Sequence, residues 1–597
     1  MANYRIREIK LLDAIREVES GNLQLPEFQR NYVWKPTNQI ALVDSIQKGY
    51  PVGALLLLEV DASDATGGPF GFRPFEGAPA PVSPLKYLVL DGQQRLTTTF
   101  RVFSPNVQGV KKIYVLDLVA LFERTGGASD LSVDFADLVN ATAKVPHLEV
   151  LLLNKNLLPL SFLTLEKKDL RKKLDDYALA LAAEASREDY AKFIRVSLHS
   201  YLDAFFDYQF PCVVLPANLD LEAVSNVFTK LNTSGLVLSA FDLCVSKLFP
   251  QGVYLRTLWN DAKSRDSIKL LDKDGTSILQ TVSLLSGLAP KKAGLVKVIE
   301  KYHIDTNWGK SIAGLDRLNV ILKKIGASVA KTLPYDTIAP SLAAILTQLP
   351  LPTNPPQIMN EIAKVERWVL QTAFNQRYTE GTETKKDIDY RDGLKWFLNN
   401  VTPDFLNEPV QWSDSLSLNT SNSGARASAI LMLLNKNGTR DFILEKQIGL
   451  GLNGVSDAQI HHIFPTAYLR SVRAAPEDKN LSNRAFNMTF LTGESNNFIS
   501  DEAPSNYVEK MKTRLIEEIG LTEAEAEIRI IGIFNTHFID ETALACLRDD
   551  DYEGFLVARG KAFARQLTLH GIPVSEVGSS PEVEDESTVD SDESEIG

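Results

Sequence analysis

Cysteine is nearly absent from this chain. Cys212, Cys244 and Cys546 are the only three in 597 residues, far apart and without a CxxC spacing, which excludes a thiolate zinc site and a disulfide framework. Each is expected as a buried small residue. Long hydrophobic runs are missing too: no stretch of about 18 uncharged apolar residues occurs, the length a membrane-crossing helix needs. The opening MANYRIREIK holds no apolar signal core. Together these absences argue against membrane spanning and export and make the cytoplasm the expected location. No complete phosphate-wrapping loop is present, because GASVAKT at 326–332 has the Lys-Thr pair but not the second glycine or the full loop length. It reads as an ordinary helical segment. No internal repeat is visible.

Basic excess is also lacking. The net charge of −13 speaks against nucleic acid, whose affinity rests largely on phosphate neutralisation, until the distribution is considered. Residues 576–597 carry nine acidic side chains and no basic one among Ser, Gly and Pro, which leaves the rest of the chain at −4. That composition predicts a disordered acidic tail and a nearly neutral body able to hold a local basic cleft. The densest basic cluster, EKKDLRKK at 166–173, reads as a solvated helix face rather than a DNA track.

What is present is enough apolar material, 44% of 597 residues, for two to four domains at roughly 150–200 residues each. REIKLLDAIREVESG, with Ile9, Leu12, Ile15 and Val18 near helical spacing and Gly21 as a stop, predicts a helix, as does PTNQIALVDSIQKG. GALLLLEV (53–60), KYLVL (86–90) and CVVLP (212–216) are apolar runs of strand length, and LEAVSNVFTKLN reads as a helix leading into a TSG turn. From about 250 to 430 the pattern is mostly helical. A new domain is expected after the glycine-rich IGLGLNG (448–454), with helices resuming near 505.

Two short stretches carry candidate chemistry. The first is DGQQRLTTTF (91–100), downstream of KYLVL. A strand running into Asp-Gly and then a helix leaves unpaired N–H groups and a positive dipole end directed at one place, which favours an anion such as phosphate. Gly92 permits a close backbone, Arg95 can grip phosphate, Thr97 and Thr98 carry hydroxyls in the first turn, and Asp91 can hold a metal or orient water. A plain strand-to-helix turn with a structural arginine is the alternative. Upstream, LPEFQRNYVWKP (25–36) supplies Gln29 and Arg30, SIQKGYPVG (45–53) follows, and VFTKLNTSGLVLSAFDL (227–243) lies further on.

With these stretches in this order, residues 1–250 resemble the N-terminal domain of GmrSD-type modification-dependent restriction enzymes and the related phosphorothioate-sensing Ssp nucleases. The resemblance implies a ParB/sulfiredoxin-like α/β fold and a nucleotide pocket floored by Asp91, Gly92, Gln93, Gln94 and Arg95, with Thr97 beside them and Gln29 and Arg30 facing it. Asn232, Thr233 and Gly235 match a further family stretch that is also an ordinary turn.

The second stretch is QIHHIFPTAYL (459–469), two of the chain's seven histidines side by side, with Asn487 and Asn496 downstream in NMTFLTGESNN. Phosphodiester cleavage needs a nucleophilic water, a base that titrates near neutrality, as histidine does, and a cation to absorb charge. A chance pair on a surface turn is the competing reading. The spacing resembles the HNH, or ββα-metal, nuclease motif at the C-terminus of the same family. That resemblance implies His462 as general base, His461 and Asn496 as metal ligands, and Asn487 within the catalytic set as the amide that holds the His462 loop. Adjacent strand residues point opposite ways, so His461 as a ligand is expected to need a bulged or twisted backbone. The family commonly has a carboxylate at the position of His461. The other histidines, His147, His199, His303, His537 and His570, read as structural.

The expected whole is a multidomain α+β protein: a ParB-like nucleotide-binding sensor domain at 1–250, a mostly helical region at 251–430, an HNH nuclease domain at 431–575 and the acidic tail at 576–597. The expected function is an NTP-regulated DNA endonuclease or nickase of anti-phage defence, using Mg²⁺ or Mn²⁺ and GTP or ATP on double-stranded, modified phage DNA. A nucleotide-switched DNA- or partner-binding regulator with a weakened HNH domain is the alternative.

Overall fold

The computed structural model describes residues 4–29, 31–61, 71–127, 138–143, 145, 147–182, 187–219, 223, 239–451, 458–472 and 481–576. The helix and turn expected at 221–235, Arg30 and nearly all of the acidic tail lie outside them. The chain divides into two compact units, Met1–Leu258 and Trp259–Gly597. Both mix helices with small sheets.

In the first unit the strands β1 (Arg5–Lys10), β2 (Leu23–Pro26), β3 (Leu55–Glu59), β4 (Phe72–Arg73), β5 (Tyr87–Asp91) and β9 (Gln209–Leu215) form a six-stranded sheet in the order β1-β9-β3-β5-β2-β4. The helix expected from Arg7 begins only at Leu11. Residues 5–10 instead pair antiparallel with 209–214, and the helix α1 (Leu11–Ser20) buries Leu11, Ala14, Ile15 and Val18 before the left-handed Gly21 closes it; the second expected helix is α2 (Pro36–Gln47). The leucine run of β3 is buried on both faces. Leu55 and Leu57 enter the larger core, and Leu56 and Leu58 join Phe28, Leu88, Leu90 and Leu215 on the other side, which is why the run is continuous rather than alternating.

The strands β6 (Lys112–Asp117), β7 (Val139–Ala143) and β8 (Leu157–Pro159) form a separate small sheet. The basic cluster lies on the helix Lys167–Ala182, where Lys167 and Arg171 pair with Asp203 and Lys173 with Glu149. Three of its five basic side chains are thus matched by protein carboxylates.

The second unit is built on long helices, among them Lys301–Lys324, Pro355–Phe374 and Thr382–Asn399, packed around Leu342, Trp368 and their neighbours. GASVAKT is not helical throughout. The helix stops at Lys324, and Gly326 turns at φ +90° where any Cβ would lie 2.2 Å from the Met432 carbonyl oxygen. Only Ala330–Thr332 makes a short 3-10 turn. Two strand pairs complete the unit: β10 (Val410–Trp412) runs parallel to β13 (Val574–Glu576), and β11 (Gln459–His462) antiparallel to β12 (Met488–Leu491). Among the described residues no helix is long and apolar enough to cross a membrane. Cys212 and Cys244 are buried, Cys546 is partly so, and all three are free.

Candidate functional site

The DGQQR stretch forms the end of β5, a turn, and the start of the helix α3 (Gln93–Phe103). The turn is sharp. Gly92 sits at φ +100°, and a Cβ there would lie 2.3 Å from a Leu55 methyl, so the left-handed backbone and the close approach of β3 both require glycine.

The side chains of the motif are spent mostly on the protein itself. Arg95 donates from Nη1 to the Val52 carbonyl at 3.0 Å and from Nη2 to Asp91 Oδ2 at 3.0 Å. Gln94 accepts from the backbone N–H groups of Val33 and Trp34 at 3.0 and 3.3 Å and donates to the Asn31 carbonyl at 3.4 Å. Gln29 donates to the carbonyls of Val89 and Leu90. Gln93, Gln94 and Thr97 are buried, and Thr97 Oγ1 has no hydrogen-bond partner among the described residues. Asp91 keeps a side chain 42% exposed.

Two arginines escaped the sequence reading. Arg73 donates to the Gln29 carbonyl at 2.9 Å, and Arg256 donates to the carbonyls of Glu27 and Phe28 and to Asp242. Desolvation holds the Arg73 guanidinium below its usual range. The structure thus brings Gln29, Asp91, Gly92, Gln94 and Arg95 to one turn and straps residues 27–29 and 31–34 across it, while Arg30, Asn232, Thr233 and Gly235 lie outside the described residues.

At the histidine pair, β11 and β12 form a hairpin-like ladder that is followed by the helix Gly493–Ile499. The ladder is regular, with His461 opposite Thr489 and His462 opposite Met488. The expected bulge is not needed. His462 is the last residue of its strand, the chain bends immediately after it, and both imidazoles line one cleft of about 400 Å³ with Arg470, Asn496, Asn497, Ser500 and Asp501.

Asn487 is fully buried and pins the bend. Its Oδ1 accepts from the Phe464 N–H at 2.8 Å, and its Nδ2 donates to the carbonyls of Phe464 and Ser482 at 3.1 and 2.9 Å. Tyr507 adds a hydrogen bond to the Ile463 carbonyl at 3.0 Å. His462 Nε2 lies 3.0 Å from Asn483 Oδ1. An amide oxygen only accepts, so Nε2 carries the hydrogen and Nδ1 is left as the basic nitrogen.

His461 differs. Its Nε2 is buried without a hydrogen-bond partner among the described residues, and burial, reinforced by the neighbouring His462, holds its pKa below the usual histidine range. A neutral imidazole with an orphaned nitrogen fits a metal ligand, and Asn496 in the same cleft offers an amide oxygen. Among the described residues no group of three or more His, Cys, Asp or Glu is gathered around one point. A cation here would therefore have few protein ligands and keep water or phosphate oxygens, as Mg²⁺ commonly does.

Asn483, Arg470 and Asp501 were not legible as site residues. Asn483 lies four positions before Asn487 in LSNRAFN, and only the fold brings it to His462.

Known proteins resemble both regions to different degrees. Residues 10–249 match the family model of the GmrSD restriction endonuclease N-terminal domain, which supports the expectation for the first unit at the level of the family. Over 578 residues the chain is also 26% identical to an uncharacterized protein of Methanocaldococcus jannaschii, covering 91% of this chain and 93% of that protein.

Proposed function

We propose that the protein is a divalent-metal-dependent DNA endonuclease or nickase of restriction type, active in the cytoplasm against phage. The observation that carries the reading is the cleft in which both imidazoles meet Asn496 beside a two-stranded ladder and its following helix. The match of residues 10–249 to a restriction endonuclease domain supports DNA as the substrate class.

In this reading residues 1–250 form a ParB-like sensor that binds GTP or ATP through Gln29, Arg30, Asp91 to Arg95 and Thr97 and hydrolyses it. Residues 251–430 transmit its state, and 431–575 form an HNH nuclease domain gated by modified DNA. His462 takes the proton of the attacking water at Nδ1, because Asn483 holds the hydrogen on Nε2. Asn487 keeps the imidazole in place by fixing the Phe464 backbone. Arg470, which has no ion-pair partner among the described residues, offers the cleft a cation for phosphate oxygens. His461 and Asn496 would hold Mg²⁺ or Mn²⁺, which when bound supplies neutralisation of charge on the phosphate and leaving oxygen.

The test is conversion of supercoiled plasmid, unmodified and phage-modified, with Mg²⁺ or Mn²⁺, with and without GTP or ATP. Wild type is expected to nick or linearise. His462→Ala is expected to lose roughly 100-fold or more in rate, and Asp91→Asn to alter the nucleotide response. Nucleotide and DNA binding without cutting under any metal would replace the nuclease with a nucleotide-switched regulator.

A further inference from the structure

The strand β12 has β11 on one side and, among the described residues, no strand on the other. Its outer edge is held by an arginine and a histidine. Arg559, on the helix Tyr552–Leu569, is fully buried. It donates from Nη1 to the carbonyls of Phe486 and Met488 at 2.6 and 2.9 Å, and from Nε and Nη2 to the carbonyl of His537 at 3.1 and 2.9 Å. No carboxylate contacts it among the described residues, so a buried charge is balanced by carbonyl dipoles and by the Phe563 ring, whose centroid lies 5.5 Å away. Such an arrangement costs desolvation that an apolar side chain of the same size would avoid. Packing alone gives no reason to keep it.

Its acceptors are not arbitrary. Phe486 and Met488 flank Asn487, the residue whose side chain fixes Phe464, and the Asn487 carbonyl accepts from the Ile463 N–H at 2.8 Å. Met488 stands opposite His462. His537 completes the edge. Its Nε2 lies 2.6 Å from the Arg440 carbonyl oxygen, so that nitrogen donates, and Nδ1 accepts from the Thr489 hydroxyl at 2.6 Å. Thr489 stands opposite His461. One guanidinium and one neutral imidazole therefore hold both residues that face the histidine pair across the ladder.

We infer that Arg559, with His537, is a positioning residue that sets the two cleft imidazoles through β12. The inference rests on the nuclease reading above. In the full-length chain Arg559→Met removes the donors while keeping most of the volume, and Arg559→Lys keeps the charge with a different donor geometry. Lys364→Met is the control, because Lys364 is likewise buried, bonded to the Trp396 carbonyl and Asn400, and belongs to the helical body rather than to the cleft.

With plasmid nicking measured well below each variant's melting midpoint, Arg559→Met is expected to lower kcat about 100-fold with KM for DNA within about threefold, the signature of misplaced groups rather than lost binding. Arg559→Lys is expected to recover part of that loss, and Lys364→Met to melt earlier yet cut at the wild-type rate. A folded Arg559→Met or, should that variant fail to fold, a folded Arg559→Lys with wild-type kcat overturns the inference alone. A loss of kcat in Lys364→Met equal to that in Arg559→Met also overturns it, since the effect would then be general destabilisation. A wild-type protein that cuts no DNA removes the nuclease reading and this inference together.

Discussion

Asn487 and His537 are both fully buried polar side chains near the cleft, and only one of them announced itself. Asn487 stands at a motif distance from the histidines, and the bend it holds makes its three hydrogen bonds a local necessity, because a buried N–H and carbonyl left unpaired would each cost about 1–3 kcal/mol. His537 read as one structural histidine among several. Its importance is non-local, since Arg440 and Thr489 reach it from 97 and 48 residues away. The same holds for Asn483, whose contact with His462 depends on how two distant segments fold. Burial pushes the His537 pKa down to about 3. An unfolded histidine takes up its proton near pH 6.5, whereas the folded one resists until about 3, so the stability linked to this group is complete above pH 6.5 and is lost as pH falls toward 3. The full span is on the order of 5 kcal/mol. Urea midpoints measured across that range should fall steeply for wild type and less steeply for His537→Gln, which keeps a donor for Arg440 but cannot titrate. Parallel slopes would rule out His537 as the titrating group.

Elements with a strong internal period were legible, and elements defined by a distant partner were not. The spacing of Leu12, Ile15 and Val18 yields α1, although Leu11 rather than Leu12 is fully buried and Ile9 belongs to β1; Arg5 to Lys10 carry too weak an alternation to reveal β1, which exists because residues 209–214 lie beside it. The β5-turn-α3 element was readable because Asp-Gly after an apolar run is a local signal, and the geometry gives that signal its force. What it does not reveal is how far the motif's side chains are used in self-contacts. Arg95 was read as a phosphate ligand, and it also ties β5 to the segment at Val52. This element yields a prediction of its own. Gly92→Ala must accept both a left-handed φ and a 2.3 Å contact with Leu55, and together these should cost about 3 kcal/mol, read as an earlier first transition in a denaturant melt of the full chain. An unchanged melt would show that β3 and the turn yield easily.

Over the whole molecule, the middle of the second unit's sequence is tied to its last described residues by a ladder that composition could not disclose. The short strand β10 lies in a region that reads as helical, and β13 ends at Glu576, where the acidic composition begins. Three residues in each strand carry no periodicity that could be read, so the tail's composition masked a structural element at its root. Two truncations separate the roles. A chain ending at Glu576 keeps the ladder and loses eight acidic residues, which moves the net charge from −13 to −5. It should melt as wild type does and bind DNA more tightly at low ionic strength, with the gain disappearing at high salt as the charges are screened. A chain ending at Ile572 also loses Pro573, whose carbonyl accepts from the Val410 N–H at 2.8 Å, together with every β10–β13 pair. It should lose about 1–3 kcal/mol in a urea melt. If the two truncations melted alike, the β10–β13 ladder would contribute nothing measurable to the second unit.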